Sequence, residues 1–557
     1  MKDIVLLGDE ALALGALHAG ISVGYGYPGT PSTEIMEYLI DNHKKNNGPK
    51  AHWCTNEKTA YEAALGTSFA GKRTIVTMKH VGLNVAADPF MNSSLIGIKG
   101  GLIVVVADDP SMHSSQGEQD SRFYANFAMI PCFEPTTQQE AYEMVFEAFE
   151  MSEKYHVPVM MRMVTHLAHS RAVVHPKAED KMLSENALEK ANRQDWMLLP
   201  ALARRNYQNM LDKQKDLTAW SCATQWNPLV LNEKRKDLAI ITSGLGKNYY
   251  NENLDDYAKA GELPSTLHIG SLPLPVDSIQ KLAEIAETIL VIEEGMPFIE
   301  KTLAGILPQN TKVIGKLTGH LPRTGELNPD SVRKALGLEA KPTLLGQIAS
   351  SDKTLAEEIA TLPGRPPQLC KGCPHGDSYS AVNKAVAVLT EKAGKDNVVV
   401  MADIGCYSLG AVPPYSAIES IVCMGASIGM ARGASQAGVK YAFGVIGDST
   451  FLHSGVTNLI DAVSTKTPMT AIILDNSIVA MTGCQQTILP SSQLEPLIEG
   501  LGVEKDHIRV LSTNPSCVEE NAKVLVEEAE YQGVSVVILV RECLEAFRIR
   551  NKAKKQG

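Results

Sequence analysis

Short apolar runs bounded by Gly, Pro or Asp recur at residues 21–25, 74–78, 101–107 and 157–161, and amphipathic stretches such as 138–154 lie between them. Alternation of this kind predicts strands of a parallel sheet covered by helices, here over residues 1–175. Residues 176–235 are polar, carry scattered Trp and show no clear period, so they read as a helical linker that wraps over its neighbours. A second α/β block, 236–338, contains LAIITSGLG and ILVIE, and a Pro-containing connector follows at 339–368. The third block, 369–557, has apolar runs at 397–401, 441–446, 469–474 and 534–540. The expected fold is therefore α/β with three parallel-sheet domains, the first and third being variants of one architecture.

Two of these runs end in chemistry. The run at 441–446 leads into Gly447-Asp448-Ser449, and the run at 469–474 leads into Asp475-Asn476. Asp448 and Asn476 are 28 residues apart, about one βαβ crossover, so they should lie side by side at the carboxyl edge of a parallel sheet. A carboxylate, an amide oxygen and a nearby carbonyl suit a hard divalent ion that also holds a diphosphate. Gly447 would let the phosphate approach the backbone. An ordinary βαβ unit with polar strand ends accounts for the same residues, and the pair alone does not decide.

Composition narrows the class. At 557 residues the chain is too long for one core, and its 44% hydrophobic and 21% charged residues are those of a soluble globular protein. A net charge of −11 and the absence of a basic block exclude a nucleic-acid binder. The amino-terminal stretch lacks the character of a secretory signal and no run of 18 apolar residues occurs, so a cytoplasmic protein without membrane contact is expected. Ten cysteines in such a protein point to metal or redox chemistry where they cluster.

The first block carries several candidate groups. Residues 24–29 fit GxGxxG as a string, but Pro28 stands inside it, which weakens a dinucleotide reading. Thr30-Pro31-Ser32-Thr33-Glu34 combines a cap candidate, a proline at the first helical position and an early acid, so it should open a helix carrying Ile35, Met36 and Leu39. Such an amino terminus can hold a carboxylate or merely cap the helix. Glu57 begins a helix of small residues, where a poorly solvated carboxylate suits proton exchange with a heterocycle nitrogen. An acid at a helix start also needs no function. The polar loops with His80 and Asn84, and with His113 and Arg122, follow strands and belong on the functional edge of the sheet.

Cysteine spacing gives the most specific local signal. Cys370 and Cys373 form a CxxC pair, Cys406 follows a strand end in ADIGCYSLG, and Cys543 follows the last strand. Four convergent thiolates suit zinc or an iron–sulfur cluster, while an isolated CxxC could be a redox pair. Cys54, Cys132, Cys222, Cys423, Cys484 and Cys517 show no comparable pattern and read mostly as core residues.

Taken in order, GDS followed by Asn476, YPGTPS at 27–32, MKHVGLNVAADP at 78–89, HSSQGEQDSR at 113–122, CKGCPH, DIGCYSLG and AMTG at 480–483 resemble the large subunit of indolepyruvate ferredoxin oxidoreductase. That family belongs to the thiamine-dependent 2-oxoacid ferredoxin oxidoreductases, with transketolase-like domains. The likeness spans roughly residues 5–175 and 369–545. It implies a pyrimidine-binding domain at 1–175, a transketolase C-terminal-like domain at 236–338 and a diphosphate and Mg²⁺ domain at 369–557. Asp448, Asn476 and the Ile478 carbonyl would hold Mg²⁺, with Gly447, Ser449, Met481, Thr482, His375 and Asn84 as further thiamine diphosphate contacts. Glu57 would exchange a proton with the aminopyrimidine. Thr30 would hold the substrate carboxylate, with His80 and Arg122 as pocket groups. Cys370, Cys373, Cys406 and Cys543 match positions that bind one [4Fe-4S] cluster.

The resemblance implies oxidative decarboxylation of an aryl or similar 2-oxoacid to an acyl-CoA, with electrons passing to a ferredoxin-type acceptor. It also implies a homodimer, or a hetero-oligomer with a smaller oxidoreductase subunit. Family large subunits commonly end in a ferredoxin-like domain, whereas this sequence stops at Gly557 after a charged tail, so either a separate subunit carries the electrons on or the enzyme is simplified. Asn476-Ser477-Ile478-Val479 stands where the family tends to have Arg and Thr, a departure in the region that sets substrate identity. A non-oxidative thiamine-dependent decarboxylase or carboligase is the alternative. An inactive thiamine-binding assembly subunit is a third reading.

Overall fold

The apolar runs become the central strands of three sheets in a computed structural model that describes residues 2–177, 193–259, 261–342, 344–364 and 367–556. Part of the expected linker, 178–192, lies outside the described residues. The chain divides into two compact units, 1–362 and 363–557.

In the first unit, Thr74–Lys79 and Leu102–Asp108 are buried at every position, as strands covered on both faces must be. They sit inside a seven-stranded sheet ordered Ser271–Leu272, Cys132–Phe133, Val159–Val164, Leu102–Asp108, Thr74–Lys79, Val23–Gly26 and Lys50–Trp53. All neighbours are parallel except Ser271–Leu272, an edge strand that comes from the middle block. The middle block forms its own five-stranded sheet around Leu238–Ser243, yet its apolar side chains and those of the first block make one continuous core. The helix Pro200–Ala223 touches both blocks: Gln214 donates to the Met129 carbonyl of the first at 3.0 Å, and Ser221 donates to the Pro273 carbonyl of the middle one.

The second unit is a six-stranded, all-parallel sheet ordered Ser420–Ile421, Val398–Ala402, Tyr441–Gly447, Met469–Asp475, Val534–Val540 and Ile508–Ser512. Separate apolar clusters pack on its two faces. Ile508–Ser512, read as IRVLS, was missed by the search for continuous apolar runs because an edge strand alternates instead. Among the described residues no helix is long and apolar enough to cross a membrane.

Candidate functional site

In the second unit the parallel register sets Gly447 opposite Leu474, which brings Asp448 level with Asp475 and leaves Asn476 just beyond. Asp448 is 5% exposed and Asn476 6%. Asp448 Oδ1 accepts the Ser449 amide and Oδ2 accepts the Ser477 amide, both at 2.9 Å. The Asn476 amide is oriented at both ends: Oδ1 accepts the Ile478 amide at 3.1 Å, and Nδ2 donates to His375 Nε2 at 3.2 Å. His375 must therefore be a neutral acceptor there, and burial pushes its imidazole down to about 4. Ile478 belongs to a short hairpin pairing Ile478–Val479 with Gln485–Gln486. Within it Thr482 donates to Gln485 at 2.7 Å, and Met481 is exposed.

This edge carries an electrostatic imbalance. Burial pushes the Asp448 carboxyl well above the usual range, and the neighbouring Asp475 adds to that push. Asp475 Oδ2 is buried without a hydrogen-bond donor. Among the described residues no Lys or Arg pairs with either carboxylate. Two buried carboxylates beside an oriented amide form a set of hard oxygen donors that fits Mg²⁺.

At Gly447 the fold itself requires the absence of a side chain. A Cβ there would stand 2.6 Å from Tyr407 Cε1, so the space a side chain would need is filled by the Tyr407 ring. Tyr407 is fixed by donating to Asp403, and its carbonyl accepts from Tyr379 at 2.6 Å. Asp475 is visible in the sequence as the strand end beside Asn476 and Asp403 is not singled out there, although both stand at strand ends, the signal that identifies Asp448.

The four matched cysteines flank the same edge. Cys373 directly precedes the helix Pro374–Ala393 that presents His375, and its amide donates to the Cys370 carbonyl at 2.9 Å. Cys406 precedes Tyr407, and the Cys543 amide donates to the Asn476 carbonyl at 3.3 Å. Burial pushes the Cys406 thiol up to about 12, with Cys373, Cys543 and Cys370 adding to the shift, so these thiols act on one another. Among the described residues no three His, Cys, Asp or Glu side chains stand close enough to hold a single ion. A cluster differs in that iron and sulfide fill the space between thiolates, and four thiols within mutual electrostatic reach are the donor set it needs. Of the six cysteines expected in the core only Cys132 is buried; Cys423 is exposed, and Cys484 acts electrostatically on Cys406.

In the first unit the candidate groups gather at the carboxyl end of Thr74–Lys79. Glu57 opens the helix Glu57–Phe69, capped by Asn56, whose Oδ1 accepts the Thr59 amide at 2.9 Å. Glu57 is buried, and its carboxylate lies where any side chain at Gly82 would collide with it. His80 is buried with Nε2 2.9 Å from the Gly117 carbonyl. Asn84 is exposed and accepts from Tyr124 at 2.8 Å, and His113 pairs with Glu326 at 2.9 Å on the surface.

Around Thr30 the expected cap is displaced. The helix is Thr33–Asn46 with Ser32 at its cap, and Pro31 precedes it. Ser32 donates to the Gly29 carbonyl at 2.8 Å while the Gly29 amide donates to Thr33 Oγ1 at 3.0 Å, a closed turn that takes up residues 29–32 before the helix can begin. Thr30 stays at the edge, its carbonyl 3.5 Å from Ser114 Oγ.

Arg122 is held in a buried ionic network linking the first and middle blocks. Its Nε meets Asp120 at 2.9 Å, Nη1 meets Glu293 at 3.0 Å, and Nη2 donates to the Glu294 and Met296 carbonyls at 3.0 Å each. Arg162 adds Asp108 at 2.6 Å and pairs with Glu134. Although burial pushes Asp120 up, Arg122 and Arg162 outweigh it and hold its carboxyl at about 2. All three Arg122 nitrogens are thus engaged by protein groups.

Residues 14–210 match the family model described as pyruvate flavodoxin/ferredoxin oxidoreductase, thiamine diP-bdg, and residues 403–537 match the thiamine pyrophosphate enzyme, C-terminal TPP binding domain. The chain is 36% identical over 556 residues to the indolepyruvate oxidoreductase subunit IorA of Methanothermobacter thermautotrophicus, covering 97% of this chain and 87% of that protein. It is also 36% identical over 561 residues to the subunit of the same name from Archaeoglobus fulgidus, covering 97% and 86%. Among solved structures, a 2-oxoglutarate:ferredoxin oxidoreductase from Magnetococcus marinus aligns with a TM-score of 0.49 at 17% identity, over 60% of this chain and 65% of that one.

Proposed function

Because the chain belongs to the indolepyruvate oxidoreductase IorA subunit family, and is a thiamine-diphosphate-dependent 2-oxoacid oxidoreductase, we propose that it oxidatively decarboxylates an aryl 2-oxoacid to the acyl-CoA and passes the electrons through one [4Fe-4S] cluster to a ferredoxin-type acceptor. What supports this reading most is the edge where Asp448, Asp475 and Asn476 stand beside four mutually interacting thiols.

Residues 1–175 serve the pyrimidine half of the cofactor, 369–557 the diphosphate half, and 236–338 act as the transketolase C-terminal-like domain. Asp448 and Asn476, with the Ile478 carbonyl, hold Mg²⁺, and His375 fixes the Asn476 amide that faces it. Bound thiamine diphosphate supplies a nucleophilic carbon and an electron sink for loss of CO2. Glu57 holds or releases the proton of the aminopyrimidine nitrogen. Its place against Gly82 fixes the direction in which that proton is offered. Thr30 orients the substrate carboxylate, and His80 shapes the pocket by holding the Gly117 loop. Arg122 positions the loop that carries it, since its donors are spent on protein acceptors.

Cys370, Cys373, Cys406 and Cys543 would hold the cluster, which would supply one-electron redox chemistry there. A smaller oxidoreductase subunit completes the assembly.

Anaerobic purification, iron and sulfide analysis and an assay with an arylpyruvate, CoA and a viologen dye test the proposal. Acyl-CoA and reduced dye are expected, and Glu57→Gln should lower kcat by about 10²–10⁴-fold, the usual contribution of a positioned proton-transfer group. Aldehyde or acyloin formed without any acceptor, in iron-free protein, would overturn it.

A further inference from the structure

Lys79 ends the central strand Thr74–Lys79, a fully buried strand, and is itself only 9% exposed. An ammonium group at that depth ordinarily demands a carboxylate partner. Its Nζ donates to the Ser114 carbonyl at 2.7 Å and lies 3.5 Å from Ser114 Oγ, and it makes no ion pair among the described residues. Asp109 acts on it from a distance. The Asp109 carboxylate is spent elsewhere: it accepts the Ser114 amide at 2.9 Å, Thr165 Oγ1 at 2.8 Å and the Ser115 hydroxyl. Lys79 is therefore a buried cation with no ion-pair partner among the described residues and only the more distant Asp109 to oppose its charge, in contrast to Arg122 and Arg162 in the same unit.

Its position gives that charge a use. A Cβ at Gly29 would lie 3.1 Å from Lys79 Cβ, so the lysine stem runs directly beneath Gly29-Thr30. Ser114, whose carbonyl accepts the ammonium's hydrogen bond, also reaches the Thr30 carbonyl through its hydroxyl at 3.5 Å. Lys79, Ser114 and Thr30 thus meet at one strand end, and the Glu57 carboxylate contacts Gly82 on the helix His80–Val85 that directly follows Lys79. Thr30 is a neutral group and cannot balance an anion.

We propose that Lys79 is the specificity-determining counter-charge for the carboxylate of the 2-oxoacid substrate, acting together with Thr30; this rests on the 2-oxoacid reading of the site. Binding the anion completes the pairing that the folded chain leaves open. The lysine selects acids over their uncharged derivatives and takes no part in proton transfer.

The test uses the holoenzyme and compares an arylpyruvate with its methyl ester, which keeps the 2-oxo group and loses the charge. In the wild type the acid should be favoured. In Lys79→Met the KM for the acid should rise about 10- to 100-fold, the worth of a hydrogen bond to a charged group, with kcat little changed and the ester unaffected. Lys79→Arg should restore the preference for acid. Lys79→Gln, which keeps the polar contact with Ser114, should behave like Lys79→Met, and it serves if the apolar variant does not fold. Acid and ester weakened alike, or an unchanged preference, would overturn the proposal and mark Lys79 as a structural tie for the Ser114 loop. Failure of the wild type to turn over any 2-oxoacid would instead bring down the underlying reading, and this one with it.

Discussion

Two buried polar regions of this protein solve the problem of burying charge in opposite ways. In the first unit Arg122 and Arg162 stand among Asp108, Asp120, Glu134 and Glu293, and each guanidinium faces carboxylates at ion-pair distance. In the second unit Asp448 and Asp475 face each other with no cationic side chain paired to them among the described residues, one oxygen has no donor there, and burial together with repulsion pushes Asp448 up. An isolated buried charge is costly and is ordinarily relieved by a shift toward the neutral form, so a region that keeps carboxyls in this state is one that a cation from outside would stabilise. The ionic network is therefore read as structure and the carboxylate pair as a binding site. Lys79 is the cationic counterpart of that pair.

The largest effect should come from Asp448→Ala. It removes a direct ligand, so the affinity for thiamine diphosphate with Mg²⁺ should fall by more than the roughly 10- to 100-fold that loss of a supporting residue costs. The cofactor-free protein should lose little stability, because relief of the repulsion from Asp475 offsets the two amide bonds given up by Ser449 and Ser477. Calorimetric titration and unfolding of the cofactor-free protein measure both. A large loss of stability with cofactor binding retained would make Asp448 structural and break the contrast.

Arg162→Met should invert the pattern. Taking one partner out of a buried ion pair costs about 3–5 kcal/mol because the carboxylates left behind are unpaired. Denaturant unfolding should show that loss in the transition of the first unit, while Mg²⁺ affinity is unchanged where the protein folds. Weaker Mg²⁺ binding without loss of stability would assign the network to the cofactor instead.

The same contrast explains what could be read from the sequence. The parallel sheets were legible because their central strands are continuous apolar runs, and Asp448 with Asn476 because the crossover length fixes which strand ends meet. The ionic network was not legible: Arg162 lies inside the apolar strand Val159–Val164, and its partners Asp108, Asp120 and Glu134 are scattered over separate elements that only tertiary packing brings together. The resemblance makes Arg122 a pocket group, and that Glu293 and two carbonyls of the middle block occupy its donors is legible only in the fold. Lys79 was visible in the motif but not singled out. Its distinction is that no carboxylate among the described residues forms an ion pair with it, which no local pattern encodes.

The smallest effect is the one that separates a charge role for Lys79 from a packing role. Burial pulls the Lys79 ammonium down to about 8, with Asp109 opposing the shift. The Asp109 carboxyl, although pushed up by burial, is held below its usual range by the Ser115, Ser114 and Thr165 hydrogen bonds and stays ionised through this interval. His80, the next residue, is turned to the Gly117 carbonyl. The protonated lysine is the form that attracts an anion, so the KM for the acid should be flat below about pH 8 and then climb about tenfold per pH unit as the ammonium loses its proton. The climb should end once the substrate itself, by binding, no longer holds the proton on the lysine. In Lys79→Arg, whose guanidinium does not titrate in this range, the profile should remain flat. A climb that persisted in the arginine variant would trace the pH dependence to another group and leave the ammonium with only its contact to Ser114.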